Sequence, residues 1–265
     1  MELRDALKVL IDQARAEARG EVPLIGVGGC QASGKSTLVR IVGDEIGAAR
    51  FSLDDVYRTR ADREAMARDV HPLFITRGPP GTHDLDLADG VIDALMSARE
   101  GQRTPIPSFD KLADDRLPPR QWPVFEGKPS AILVEGWCMG AAPQSEIDLA
   151  TPVNALEAEE DADAVWRRRV NTELTGRYRE FFARFARSLY LSAPSFDVVL
   201  DWRCEQEAGL LGVAPADLPL DRREMLARFI AHYERLTRHM ISGGVDVDAV
   251  ARLDAQRRLL AIEVA

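Results

Sequence analysis

The stretch Gly29-Cys-Gln-Ala-Ser-Gly34-Lys35-Ser36-Thr37 constrains this chain more than any other segment. It fits the pattern G-x-x-x-x-G-K-[ST], in which a glycine-rich turn aims successive amide groups at a polyphosphate. The lysine reaches the terminal phosphates and the hydroxyl meets a divalent cation. Context decides whether such a loop is real. The apolar run Val22-Pro-Leu-Ile-Gly-Val27 precedes it and reads as a buried strand of a parallel sheet. A helix with an apolar face follows from about Ser36 to Ile46, which turns its positive dipole end toward the loop. Gly29, Ala32, Ser33, Gly34, Lys35, Ser36 and Thr37 are therefore expected to bind a nucleotide, with Lys35 also catalytic and Ser36 also on the metal. Cys30 reads as a small residue tolerated inside the loop.

Elsewhere, short apolar runs alternate with helical periodicity. Leu3, Leu7, Leu10, Ile11 and Ala14 mark an amphipathic first helix. Strands are expected at 50–53, at 130–134 and in a run ending at Leu189 and Tyr190. Helices are expected at 61–69, 86–98, from near Asp161, at 195–211 and at 221–241, and a closing hairpin at 248–264 turns at Asp254-Ala-Gln256. This alternation predicts an α/β fold with a doubly wound, mostly parallel sheet and a C-terminal β-hairpin. The 265 residues suit one kinase-sized domain, with an N-terminal helix at 1–20, a Pro- and Gly-rich substrate-binding insertion at 55–125, and a lid and helical region at 161–220.

Composition narrows the partners. A net charge of −9 repels nucleic acid and anionic membrane, so neither is expected as a partner. Cys30, Cys138 and Cys204 are too scattered for a disulfide framework or zinc site. No signal-like or membrane-length apolar run is visible, and a cytoplasmic protein is expected. The partner expected is a small molecule, and monomer or homodimer both stay open.

Acids at strand ends point to the chemistry. Ser52-Leu-Asp-Asp-Val-Tyr57 closes the second strand, where a doubly wound sheet opens its ligand crevice. Asp54 is the expected general base for an acceptor hydroxyl, Asp55 a candidate to orient the metal through water, and Tyr57 a substrate neighbour. Both aspartates also suit a turn or helix cap. Glu135 ends a further apolar strand and is a candidate to order the metal's water shell. The chain's asparagines, Asn154 and Asn171, open no N-K-x-D motif, which disfavours a regulatory GTPase. Arg77 and His83 sit in the loop Arg77-Gly-Pro-Pro-Gly-Thr-His-Asp84, and Asp110 and Lys111 in another, all as candidates for an anionic acceptor. Arg77 could instead pin its loop to Asp84 or another acid, and Asp110 and Lys111 could equally pair with each other. Trp166, Val170, Leu174, Tyr178 and Phe182 form a packing stripe, and Arg167-Arg-Arg169 reads as a solvated face. Trp202 and Arg203 either flank the nucleotide or pack a helix; Arg203 is taken as a nucleotide ligand. Residues 205–220 read as a mobile cover.

Taken in order, the phosphate loop, Ser52–Tyr57, Arg77–Asp84, Ser108-Phe-Asp-Lys111, Val134-Glu-Gly-Trp137, Val170-Asn171 with Tyr178, and Trp202-Arg-Cys-Glu-Gln-Glu207 resemble the D-glycerate 3-kinase family. That family is similar in turn to phosphoribulokinase, uridine kinase and bacterial pantothenate kinase. The resemblance spans about residues 22 to 260, and the Arg-Gly-x-Pro-Gly-Thr-His-Asp block is its most specific part. It implies ATP and Mg2+ as cofactors, transfer to the 3-hydroxyl of D-glycerate, and Asp54 as the base. Two positions depart from the family's pattern: Glu205 replaces a Gln and Phe109 a Tyr. Nucleoside, pantothenate or sugar acceptors, and a regulatory ATPase, are the competing expectations.

Overall fold

A computed structural model describes residues 2–18 and 20–264; Met1, Arg19 and Ala265, the first two within the expected 1–20 helix, lie outside them. Helix α1 (Leu3–Glu17) leads into β1 (Leu24–Gly29), the phosphate loop and α2 (Lys35–Ile46). β2 (Ala49–Ser52) follows, then α3 (Arg60–Asp69) and α4 (Leu85–Met96). Four short strands occupy the Pro-rich stretch: β3 (Arg103–Pro105), β4 (Phe109–Asp110), β5 (Asp115–Arg116) and β6 (Val124–Glu126). β7 (Ile132–Gly136) precedes α5 (Glu146–Ala150), α6 (Ala155–Glu160), α7 (Val165–Glu173) and α8 (Arg179–Phe182). β8 (Arg187–Ser192), α9 (Asp197–Leu211), α10 (Leu220–Ile241), β9 (Ala249–Leu253) and β10 (Leu259–Val264) complete the chain.

The main sheet has the order β10-β9-β8-β1-β7-β2. All pairings are parallel except β9–β10, which is the expected hairpin. Successive strand residues serve opposite faces, as a pleat requires. Leu24, Ile132, Val134 and Tyr190 pack on one face with α4, α8 and α10. Ile25, Val27, Leu133, Leu189 and Leu191 pack on the other with α1, α2 and α9. Because both faces are covered, these strands carry no polar alternation, which is why they read as continuous apolar runs. No helix among the described residues is long and apolar enough to cross a membrane.

The expected helix from Asp161 is two pieces. α7 ends in a wide turn at Leu174–Tyr178, broken at Gly176 with φ −103° and ψ −106°, before α8 begins. Asp161 lies upstream of α7, accepts the amides of Trp166 (2.7 Å) and Arg167 (3.1 Å), and pairs with the Arg167 guanidinium. Arg167 is thus buried, unlike its exposed neighbour Arg168. Besides α3 and α4, the insertion carries two small antiparallel pairs, β3–β6 and β4–β5, where the sequence reads as loop.

Candidate active site

The crevice lies at the C-terminal ends of β1, β2 and β7. β1 delivers the loop, whose backbone passes through positive φ at Gly29 (154°), Ala32 (57°) and Gly34 (95°). At Gly29 a Cβ would stand 2.8 Å from Ser33 Oγ and 3.1 Å from Leu191 Cβ, so a side chain there would push the loop off the sheet. No side chain caps the start of α2, which leaves its first amides turned toward the loop.

β7 sets Glu135 beside this loop. Its Oε1 accepts the Ser36 hydroxyl at 2.6 Å, and its Oε2 stands 3.7 Å from Lys35 Nζ. Orphaned buried polar atoms gather here: both ends of the Gln31 amide, Ser33 Oγ and Glu135 Oε2 have no hydrogen-bond partner. Buried polar atoms are normally paired, so the cradle fits a polyphosphate with its cation.

β2 ends in Asp54. Tyr57 donates its hydroxyl to Asp54 Oδ1 at 2.6 Å, and Lys111 Nζ donates to Oδ2 at 2.8 Å. Burial works against charge on Asp54, but Lys111, Lys35 and these hydrogen bonds outweigh it and hold the carboxyl well below the usual range. The Asp54 charge in turn holds Lys111 above its usual value. Asp55 takes the local capping role: its Oδ2 accepts the Ser52 amide at 3.0 Å. Burial pushes the Asp55 carboxyl up to about 7, with the Asp54 and Glu135 charges adding to the rise.

The Arg77–Asp84 loop forms the next wall. His83 stacks on Tyr57 with centroids 4.9 Å apart and shares its Nδ1 with the Tyr178 hydroxyl. Its Nε2 is buried and unpartnered, and burial pushes its pKa down to about 4, so it is neutral at physiological pH. Arg77 points elsewhere. It pairs with Asp114, lies 5.6 Å from the Phe109 centroid, and its carbonyl accepts the Tyr233 hydroxyl at 2.7 Å. Asp110 accepts the amides of Leu112 and Ala113 at 2.8 and 3.1 Å, which shapes the turn that carries Lys111. Lys111 therefore reaches Asp54 instead of its neighbour.

Arg203 lies on α9 beside Glu207 at 3.9 Å, and its Nε is another buried orphan. Trp202 is a packing residue: it is buried, and its Nε1 donates to Ala255 O at 2.8 Å. Sequence reasoning passes over Asp114 and Arg257, and it reads Tyr178 as packing and as part of the resemblance without giving it a place in the site. Tyr178 anchors both His83 and the Gly81 amide, and Asp114 gathers Arg60 and Arg63 besides Arg77. Arg257, in the hairpin turn, touches the phosphate loop. No spacing pattern marks Asp114 or Arg257; only the closing of distant loops reveals them.

No protein-family model matches the chain. A kinase of Schizosaccharomyces pombe, described as the uncharacterized kinase mug58, is 30% identical over 217 residues, which is 77% of this chain and 76% of that one. The chloroplastic D-glycerate 3-kinase of Arabidopsis thaliana is 32% identical over 151 residues, covering 51% of this chain and 33% of that protein. The structure of a D-glycerate 3-kinase from Cryptococcus neoformans superposes with a TM-score of 0.78 at 21% identity, covering 99% of this chain and 97% of that one. That last likeness carries the fold alone.

Sheet order, phosphate loop and relatives together define an ATP-dependent small-molecule kinase of the P-loop class. Within that class the chain belongs to the D-glycerate 3-kinase family.

Proposed function

We propose that this kinase transfers the γ-phosphate of ATP to the 3-hydroxyl of D-glycerate, giving 3-phosphoglycerate and ADP. One observation carries the reading. Asp54, ionised and presented from the end of β2, has an exposed cation, Lys111, on one oxygen and Tyr57 on the other. A carboxylate base beside a swinging ammonium suits an acceptor that carries both a hydroxyl and an anionic group.

The acceptor's carboxylate draws Lys111 away from Asp54, and the freed oxygen takes the hydroxyl proton as the alkoxide oxygen bonds to the γ-phosphorus. The bond from γ-phosphorus to the β,γ-bridging oxygen breaks, and ADP leaves. Lys35 and the loop amides balance the charge of the transferred group. Neutral His83 offers Nε2 to an acceptor oxygen. Ser36 would hold Mg2+ and Glu135 and Asp55 would order its water, and the ion would supply neutralisation of phosphate charge. Arg77 acts on the acceptor by fixing the hairpin that bears Lys111 and Asp110. Arg203 supplies charge near the nucleotide.

Purified protein with ATP, Mg2+ and a panel of acceptors tests the reading, with product NMR locating the phosphate. D-glycerate-dependent ADP release with the phosphate on the 3-oxygen is expected. Turnover on a nucleoside, pantothenate or a sugar, with none on glycerate, would replace the acceptor.

A further inference from the structure

The turn joining β9 to β10 stands on the ligand side of the sheet. β9 runs parallel to β8, and β8 parallel to β1, so the end of β9 and the phosphate loop share one edge. The turn is internally tied: Asp254 Oδ1 accepts the amides of Gln256 and Arg258, both at 2.8 Å. From it Arg257 reaches back. Its Nε donates to Ala32 O at 2.8 Å, its Nη2 lies 2.8 Å from Glu205 Oε2, and its guanidinium covers the Trp202 ring at 4.7 Å. Trp202 is itself tied to the turn through Ala255 O.

Two backbone observations sharpen the contact. Non-glycine residues at positive φ are four among the described residues, and this one hydrogen bond joins two of them, Ala32 (57°) and Arg257 (63°). Such residues persist where their surroundings over-determine them, and they gather at functional sites. The Ala32 carbonyl and the Ser33 amide belong to one rigid peptide plane. Holding the oxygen outward therefore sets the Ser33 N–H, which closes the turn onto Cys30 O at 3.3 Å.

We infer that Arg257 is a positioning residue for the nucleotide: it braces the phosphate loop in its anion-receiving curl and holds a fixed positive charge behind it, while Glu205 and Trp202 aim the guanidinium. The inference rests on residues 29–37 being the nucleotide loop. It also gives Glu205 a role: its carboxylate forms an ion pair with Arg257 that an amide cannot.

Calorimetric MgATP binding and steady-state kinetics on Arg257→Ala, Arg257→Lys and Glu205→Gln test it, with thermal melts as the control for folding. Arg257→Ala is expected to weaken ATP binding and raise its KM about tenfold, the loss of one charge-assisted hydrogen bond. The acceptor KM should stay within about twofold, because the brace touches only the nucleotide side. Arg257→Lys keeps the charge and should recover part of the affinity. Glu205→Gln, which spares the Ala32 contact, should weaken ATP about threefold. Unchanged ATP affinity in folded Arg257→Ala overturns the inference, as does an equal rise in both KM values. Should Arg257→Ala fail to fold, unchanged ATP affinity in both other variants overturns it. If the wild-type protein binds no MgATP, the nucleotide reading itself fails instead.

Discussion

Replacing Asp54 with Asn removes the base and almost nothing else. The amide is isosteric, so β2 and its 3-10 turn keep their shape. One of the two contacts changes sign: an Asn can accept from Tyr57 or from Lys111, but its NH2 must face the other donor. Lys111 is the group that lets go, since its side chain is 60% exposed and water replaces the contact at little cost. Removing a negative charge near Lys35 leaves the crevice more receptive to a polyphosphate. A positioned general base contributes on the order of 10³-fold in rate, about 4 kcal/mol of barrier. The expected result is therefore a kcat about 10³ lower, an ATP dissociation constant within about threefold of wild type, and a melting temperature within a few degrees. Coupled-enzyme detection of ADP gives the rate, calorimetry the affinity and a thermal melt the fold. Turnover within about tenfold of wild type would refute the argument, because the neighbouring Asp55 carboxyl is held by the Ser52 amide. The wild-type profile should also show no acid limb from Asp54 across the neutral range, as Lys111 and Lys35 keep it ionised.

Three other outcomes follow from the same geometry. Lys111→Met should raise the acceptor KM about tenfold with the ATP KM unmoved; an unmoved acceptor KM in steady-state kinetics would separate Lys111 from acceptor binding. Gly78→Ala should destabilise the protein by about 3 kcal/mol or more in urea unfolding, because the added Cβ lies 2.0 Å from Tyr233 Oη at a φ of 115°; a wild-type midpoint would show that the loop and α10 yield freely. Asp55 sits near 7 when folded against about 3.9 unfolded, so the native state binds the extra proton between these values and wild-type stability falls as pH rises through that window. Asp55→Asn, which has no proton to lose, should gain on wild type from about pH 4 to pH 7 and hold a constant lead above it, measured by melts across a pH series; a pH-independent difference would reject the assignment. His83, held down to about 4, acts with opposite sign over much of the same range, so only the difference between variant and parent isolates Asp55.

The sheet was legible because its strands are buried on both faces and bounded by glycines and acids. β1 and β7 run into Gly29 and Gly136; the helix after β1 begins at Lys35, where one is expected from about Ser36, whereas α5 and α6 after β7 are not foreseen from the sequence. Asp54 and Glu135 could be placed in one crevice from topology alone, since parallel strands present their ends together. The insertion resisted reading. β4 and β5 are two residues each, and the turn between them is tied by Asp114 to three arginines, contacts that no periodicity records. The same closure redirected Arg77, whose spacing suited an acceptor ligand but whose guanidinium is tied to Asp114. Lys111 was named as a candidate, yet its partner across the crevice was visible only in three dimensions.

The position of β1 at the heart of the sheet has a bearing on biogenesis. Its neighbours arrive late: Leu24 pairs with Ile132 and Ile25 with Arg187, and Arg257, which donates to the phosphate loop at Ala32 O, follows that residue by 225 positions. A ribosome-bound chain therefore carries an apolar, unpaired strand until β7 has been made, and the Arg257 contact with the phosphate loop forms later still. Ordering of this kind favours slow, late-committing folding and a nascent stage in which chaperone shielding matters more than local helix formation.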